Sequence, residues 1–226
     1  MKKLVYEFFD KPIILEECRH YSIVIENPSS FQKFIYGIRR QIESGSEFLV
    51  YSEAGEVKST LPEAVLITDL FNLSINDKKI INSLYKKLDL AYKQVDRDAC
   101  NKIISQIDDF ISKSSDLIDL NVDYNTDIQI SGLLKLVDLH LVDDSNSLLE
   151  LLVNYIKTLS ELSGINLFFA INLNSVLSDD ELILLYKELD LMKIDLINIS
   201  FSHVNKFLPQ ETAIIIDNDL CEIDIH

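Results

Sequence analysis

The sequence predicts a mixed α/β fold, with a largely parallel sheet built from both ends of the chain and a long-helix insertion between them. Three observations predict it. Asn166-Leu167-Phe168-Phe169-Ala170-Ile171-Asn172 is a short, nearly continuous apolar run, the pattern of a parallel strand buried on both faces. Ser178-Asp179-Asp180-Glu181 then reads as a capping box, followed by Leu182, Leu185, Leu189 and Met192 at helical spacing and a second apolar run, Ile194 to Phe201. Strand, helix and strand within about forty residues form a βαβ unit, whose crossover is expected to be right-handed. The third observation is a stretch from Glu63 to Ser131 that holds neither glycine nor proline and carries helical apolar spacing for much of its length.

The chain opens with strands expected at Leu4 to Phe9, Ile13 to Glu16 and Tyr21 to Glu26, with Asp10-Lys11-Pro12 as a turn. Asn27-Pro28 sets up a helix, with an Asn N-cap and Pro at the first helical position. Its buried stripe is Phe31, Phe34, Ile35, Ile38 and Ile42, and Gly45 ends it. Phe48 to Tyr51 and Ala64 to Asp69 read as further strands, with a turn at Glu53-Ala54-Gly55-Glu56. Ile80, Ile81, Leu84, Leu88, Ala91, Tyr92 and Val95 follow helical spacing, and Ala99, Ile103, Ile104, Ile107, Phe110 and Ile111 continue it. Uninterrupted from Asp77 to Ser114, that helix would extend about 57 Å. It therefore either projects from the sheet or breaks near Asp96-Arg97-Asp98. A shorter helix is expected over Ile128 to Leu139, and another from a Ser145 cap to a left-handed close at Gly164. The expected organisation is a sheet head from residues 1–72 and 164–226, interrupted by a helical leg at 73–163.

The formal charge is −16 over 226 residues, with 47% hydrophobic and 26% charged residues. That balance suits a soluble, well-cored protein and argues against nucleic-acid binding by the surface as a whole. Any DNA contact needs its cations gathered in one place. No apolar run approaches the ~20 residues of a membrane span. Met1 to Glu7 reaches acid too early for a signal peptide. Cys18, Cys100 and Cys221 are scattered without metal spacing, as in reduced cytoplasmic proteins.

Only five glycines are present, and none opens the G-x-x-x-x-G-K-[ST] loop that would let backbone amides surround phosphate. Gly55 precedes Lys58-Ser59-Thr60, but Glu56-Val57 puts acid and bulk where phosphate would lie. His20, His140, His203 and His226 include no H-x-x-x-H pair, and no G-x-S-x-G supports a serine nucleophile. His203 beside Asn205 is a loop histidine or a site. No enzyme chemistry is expected.

Asp123-Tyr124-Asn125-Thr126-Asp127 alternates oxygen side chains, so Asp123, Asn125 and Asp127 are candidate ligands for a hard cation such as Ca²⁺. The other reading of this acidic turn is a cap for the helix beginning near Ile128. It is not an EF-hand, since Ile128 and Leu134 fall at the glycine and bidentate-Glu positions. Basic residues are few enough to map. Arg39-Arg40 end the first helix, Lys58 precedes a strand, and Lys78-Lys79 and Lys86-Lys87 lie on the long helix with one face at i,i+8 spacing.

Taken together the chain resembles a known family. Ala64-Val65-Leu66-Ile67-Thr68-Asp69-Leu70-Phe71-Asn72-Leu73-Ser74-Ile75-Asn76 followed by a long helix is similar to the "V-T-D-I-L-G-x-D-V-N-S" segment of the small type II-A CRISPR-associated adaptation proteins, the Csn2-type family. Leu167-Phe168-Phe169-Ala170-Ile171-Asn172 through Leu177-Ser178-Asp179-Asp180-Glu181 resembles that family's "L-L-I-F-x-N-x-x-x-x-L-T-x-D-E", and Asp10-Lys11-Pro12-Ile13-Ile14 its "D-E-P-I-x-L" opening. The resemblance implies an NTPase-like head without a phosphate loop and a helical leg. It implies a non-enzymatic, ring-shaped homotetramer that threads double-stranded DNA ends, is steadied by Ca²⁺, and assists spacer acquisition beside the CRISPR integrase and effector nuclease. Asn72 stands where the family has glycine, and Gly132 where it has an acidic metal ligand, a role Asp123, Asn125 and Asp127 would take over. Arg39, Arg40 and Lys58 are the candidate DNA contacts. The rival readings are a protein-interaction scaffold without DNA binding and a degenerate nucleotide-binding protein.

Overall fold

The computed structural model describes residues 2–15, 20–53, 56–58, 61, 63–118, 120–202 and 207–225. Strands β1 (Lys2–Val5), β2 (Ile13–Ile14) and β3 (His20–Ile25) precede helix α1 (Pro28–Ser44). Strands β4 (Val50–Glu53), β5 (Glu56–Lys58) and β6 (Ala64–Ile67) follow, then helices α2 (Lys78–Val95), α3 (Arg97–Ile111), α4 (Ile130–Leu136) and α5 (Leu148–Ser163). The last elements are β7 (Leu167–Ile171), α6 (Asp179–Met192), β8 (Asp195–Ser200), β9 (Glu211–Ile216) and β10 (Glu222–Ile225). They form two compact units, one of Met1–Ser74 with Ser145–His226 and one of Ile75–Asp144.

In the first unit a six-stranded sheet runs β10-β9-β3-β8-β7-β6. The strands from β9 to β6 are parallel, and β10 alone runs antiparallel, against β9. A second sheet, β2-β1-β4-β5, is antiparallel throughout. The fold is thus mixed α/β with parallel and antiparallel pairing. Every residue of β3 and of β8 is buried, which is why these strands read as near-continuous apolar runs. β7 and β8 are parallel neighbours joined through α6, the βαβ unit expected from sequence.

The capping box forms as predicted: Ser178 Oγ accepts the Glu181 amide proton, and Glu181 accepts from the Ser178 backbone. Asn27 Oδ1 accepts from the Ser30 amide at 3.1 Å, and Gly45 closes α1 in the left-handed conformation. At Gly164, φ of 70° lets the cap amide reach the Ser160 carbonyl, a geometry glycine enters without steric cost. The cap of α5 is Ser147, whose side chain accepts from the Glu150 amide, rather than the expected Ser145. Ser145 Oγ instead accepts from Asn154 Nδ2. β9 and β10 were not expected; the signal for β9 was the Ala213-Ile214-Ile215-Ile216 run.

In the second unit the long helical stretch breaks. Asp96 adopts φ −150° and ψ 76°, and its side chain accepts the Ala99 amide proton, so one residue ends α2 and caps α3. Tyr85 of α2, Cys100 of α3, and Ile130 and Leu134 of α4 then pack as one cluster, with Ile81, Leu88 and Ile104 against it. The expected helix at 128–139 is trimmed to α4. Asn125 Oδ1 and the Thr126 carbonyl accept the Asp127 and Ile128 amides before it, and Asp138 turns left-handed after it.

One core joins both sheets to α1. Leu4, Ile13 and Tyr51 of the antiparallel sheet, Phe34 and Ile38 of α1, and Ile23, Phe169, Ile197 and Ile214 of the parallel sheet belong to it. Tyr6, Phe34 and Phe48 meet edge-on or tilted, with Tyr6–Phe34 centroids 4.8 Å and Tyr6–Phe48 centroids 5.0 Å apart. Phe48 lies flat against Gly37, where an added Cβ would come within 2.3 Å of the ring. Alanine is the better helix former, yet Gly37→Ala should destabilise the protein by about 1–3 kcal/mol because the wedged ring cannot retreat. Urea denaturation measures it, and Phe48→Leu in the same chain should return part of the loss; a neutral or stabilising Gly37→Ala would show that the ring moves freely.

Candidate nucleic-acid interface

In an open parallel sheet, ligands bind where the carboxyl ends of the strands meet the following helices. The central strand β3 enters α1 through only two residues, Glu26 and Asn27. A phosphate loop would put glycine amides and a lysine there. Here Asn27 Oδ1 takes the Ser30 amide, and the Glu26 carboxylate accepts from Asn218 Nδ2 at 3.3 Å. Phe31 and Phe201 close the same end edge-on, with centroids 5.7 Å apart. The neighbouring strand ends are also self-satisfied. Asp69 Oδ1 accepts from the Phe71 amide, and Asp217 Oδ1 from the Asp219 and Cys221 amides. Asn198, fully buried on β8, accepts the Leu173 amide at 3.0 Å and donates to Ser22, Asn174 and Ser200. This end of the sheet is lined by acid and by amides bonded to one another, an environment that repels phosphate.

The predicted cations are spread over two elements. Arg39 and Arg40 are exposed on α1. Arg39 Nε lies 2.9 Å from Glu43 Oε1, an i,i+4 pair whose hydrogen bond and charge raise the guanidinium's pKa further. Lys58 ends β5, at the edge of the antiparallel sheet, with Tyr51 as its cross-strand neighbour. Other cations are neutralised in the same way as Arg39: Lys33 with Glu7 at 2.8 Å, Lys93 with Asp89 at 2.7 Å, and Lys2 with the buried Asp195 at 3.6 Å. His203 and Cys18 lie outside the described residues.

Asp123, Asn125 and Asp127 are all exposed in the segment leading to α4. Asp123 Oδ1 accepts the Tyr124 amide and Asn125 Oδ1 the Asp127 amide, both at 2.9 Å. Tyr124 ties this segment to α3 by donating to Asp108 Oδ1 at 2.9 Å, and that bond holds its phenol above the usual range. The donors are all hard oxygens, the class that suits Ca²⁺, and three side chains fill about half of a six- to eight-oxygen shell. Among the described residues, no three His, Cys, Asp or Glu side chains are grouped to hold one ion.

Sequence reasoning missed a buried titratable cluster at the opposite end of the sheet. His20 opens β3 fully buried, stacked on Tyr186 of α6 with centroids 4.3 Å apart. Its Nε2 lies 3.2 Å from the Tyr186 carbonyl and 3.1 Å from Asp190 Oδ1. A carbonyl only accepts, so Nε2 carries the proton and Nδ1 is left buried without a partner among the described residues. Tyr186 donates its hydroxyl to Glu211 Oε2 at 2.9 Å, and burial raises the pKa of both groups. Burial lowers the pKa of His20, against the opposing pull of Asp190.

The whole arrangement can be set beside known proteins. A family profile described as CRISPR-associated protein (Cas_Csn2) matches residues 41–220, well over half of the chain. The chain belongs to this family. A search of curated proteins finds no match. The Cas_Csn2 match includes β4 to β9, the whole helical unit, Lys58 and the Asp123–Asp127 segment, and it begins just after Arg39 and Arg40.

For this Cas_Csn2 member, His20 sets a pH dependence. An unfolded histidine titrates near 6.5. Below that pH the unfolded chain takes up a proton that the folded His20 resists, because burial disfavours the imidazolium and a second N–H at Nδ1 would have no acceptor among the described residues. Its contribution to stability is therefore full above about pH 6.5 and shrinks as pH falls below it. Glu211, with a raised pKa, acts in the opposite sense, so the effect of the histidine is read as a difference between proteins. His20→Phe keeps the stack on Tyr186 and should lose less stability than the wild type between pH 7.5 and 5.5 in denaturant titrations. Parallel pH curves for the two would overturn the assignment.

Proposed function

We propose that this chain is a non-enzymatic protein that binds double-stranded DNA ends in CRISPR spacer acquisition, acting in the cytoplasm as a ring-shaped homotetramer threaded by the DNA. The observation that carries the reading is membership of the CRISPR-associated Cas_Csn2 family. On this reading the β-sheet unit is an NTPase-like head without a phosphate loop and the helical unit is the leg. The two-residue Glu26-Asn27 connection supports it, because an acid and a side-chain cap occupy the place where an NTPase would hold phosphate. Exposed apolar side chains support assembly. Val95, Phe110, Leu117, Leu120 and Leu136 of the helical unit are each more than two-thirds exposed, a kind of surface that oligomers cover. The integrase and the effector nuclease are the protein partners the reading implies.

Net charge does not oppose this reading. DNA is held by phosphate neutralisation and counterion release, which require local cations only. A ring repeats each cation once per subunit around its hole, while acid elsewhere turns DNA away from other surfaces. Arg39, Arg40 and Lys58 are candidate contacts. Linear duplex should bind with an affinity that falls with salt at a log–log slope of about −0.9 per phosphate contacted, and a covalently closed relaxed circle should not bind. Gel-shift titration of one plasmid before and after linearisation checks this. Equal affinity for the two forms would refute threading, and no binding to either at low salt would favour an interaction scaffold.

The same reading places Ca²⁺ at Asp123, Asn125 and Asp127. A hard dication there would offset the repulsion between the carboxylates of this segment and Asp108 and Asp109 of α3, to which Tyr124 ties it. Asp123→Ala combined with Asp127→Ala should reduce the heat of Ca²⁺ binding in titration calorimetry and loosen the assembly by light scattering. Identical heats for the two proteins would remove the cation from this segment.

A further inference from the structure

We infer that the exposed face of α2 bearing Lys78, Lys79, Lys86 and Lys87 is the surface that takes the phosphate backbone of duplex DNA. The inference rests on the DNA-binding reading above and deepens it by naming the contact surface. Residues 78–87, Lys-Lys-Ile-Ile-Asn-Ser-Leu-Tyr-Lys-Lys, hold four of the chain's 21 cations and no acid, within a protein of charge −16. At 100° per residue, Lys78, Asn82, Lys86, Lys79, Ser83 and Lys87 fall in one half of the helix circumference. Ile80, Leu84 and Tyr85 fall in the other half and are buried, and Ile81 and Leu88 pack against the cluster of α3 and α4. All four lysines are exposed.

Three further observations separate this face from the other cations. First, Lys78, Lys79 and Lys86 have no ion-pair partner among the described residues, whereas Arg39, Lys33 and Lys93 are each held by a neighbouring carboxylate. Second, Lys78 and Lys79 occupy the first turn of α2, where a cation opposes the helix dipole, and Asp77 does not cap the helix with its side chain. Local structure alone disfavours lysine there, and a broken local rule is the mark of a functional position. Third, beside the lysines, over residues 80–88, the apolar half of α2 is taken up in packing, so this part of the helix has no free apolar arc of the kind an interfacial membrane helix needs. The four lysines span about 14 Å of helix, and a duplex carries one phosphate per about 1.7 Å of its axis, so each flexible ammonium finds a phosphate without reading bases. Lysine, a point charge on a long stem, suits contact without sequence preference.

The test uses the full chain with Lys78, Lys79, Lys86 and Lys87 all changed to Gln. Glutamine keeps helix propensity and removes the clash with the dipole, so thermal unfolding should be unchanged or shifted upward. Lys157→Gln with Lys187→Gln, two exposed lysines on α5 and α6, controls for loss of charge elsewhere. Fluorescence anisotropy with a linear duplex of about thirty base pairs is measured over a series of salt concentrations. The quadruple variant is expected to bind at least about tenfold more weakly at low salt, with a slope shallower by about 0.9 for each phosphate it no longer neutralises, while the control keeps the wild-type slope. A quadruple variant with wild-type affinity and slope overturns this inference and leaves the DNA-binding reading standing. A control variant that loses as much as the quadruple one also overturns it, since the effect would then be general charge. A wild type that binds no duplex, or binds anionic lipid vesicles in its place, defeats both. Lys86→Gln alone, with a smaller loss in the same direction, keeps the result readable should the quadruple variant misfold.

Discussion

The fold depends on β3 being hydrogen-bonded on both sides by strands from the far end of the chain. Residues 21–24 pair in parallel with 197–200 on one side, and residues 20–25 with 211–216 on the other. Such pairing carries the loop-closure entropy of nearly two hundred residues, so dense packing must offset it. All six residues of β3 are buried, as are all six of β8 and the last four of β9. Alternate residues then face opposite sides of the sheet. Ile23, Ile25, Ile197 and Ile199 join the cluster that includes α1 and the antiparallel sheet, while Ser22 and Asn198 lie at the alternate positions.

That pairing also explains the two polar features inside the sheet. Ser22 and Asn198 are register partners, so their bond sits inside the parallel ladder, and the Asn198 carboxamide fixes the turn after β7 through the Leu173 amide. His20 and Glu211 are register partners at the other end, and Tyr186 of α6 is bound to both of them. Each group is costly to bury alone and is made tolerable by the other members of its set. The exception is His20 Nδ1, which has none among the described residues, and burial of the ring, which disfavours the imidazolium, turns a packing residue into a pH-sensitive one.

Local signals were the legible ones. Asn27-Pro28, Ser178 with Glu181, and the two cap glycines each solve a problem of a few adjacent amides or carbonyls, and each caps the helix that its sequence position indicates. The long helix could either run on or break, because an Asp-Arg-Asp sequence is equally good helix surface and helix start; the Asp96 side chain on the Ala99 amide decides for the break. Ser145 and Ser147 are both chemically able to cap α5, and only the path of the chain chooses between them. The partners of β3 were not legible at all. Nothing local to His20 through Ile25 says that residues 195–216 flank it, and the polar members of the strands, Ser22, Asn198 and His20, look like ordinary strand residues until that register is known. The candidate cations were legible as residues but not as charges, since Arg39's Glu43 partner is one helical turn away and only geometry shows the pair formed.

Charge that is already paired and charge that is free behave differently toward a polyanion. To lend its charge to a phosphate, Arg39 must give up Glu43, and the released carboxylate then faces the same phosphate. The exchange gains little attraction and adds repulsion at short range. Among the described residues Lys79 and Lys86 have no such ion pair to exchange, so a phosphate displaces only water and mobile anions from them. The acidity of the rest of the surface sharpens this difference. It lowers the potential away from the ten-residue stretch without acid, and within a Debye length of about 8 Å at physiological salt that stretch is screened from most of the −16. A strongly acidic protein can therefore present a positive face, provided that its cations are close together, exposed and not already held by carboxylates. Lys78, Lys79 and Lys86 meet those conditions within the first three turns of α2.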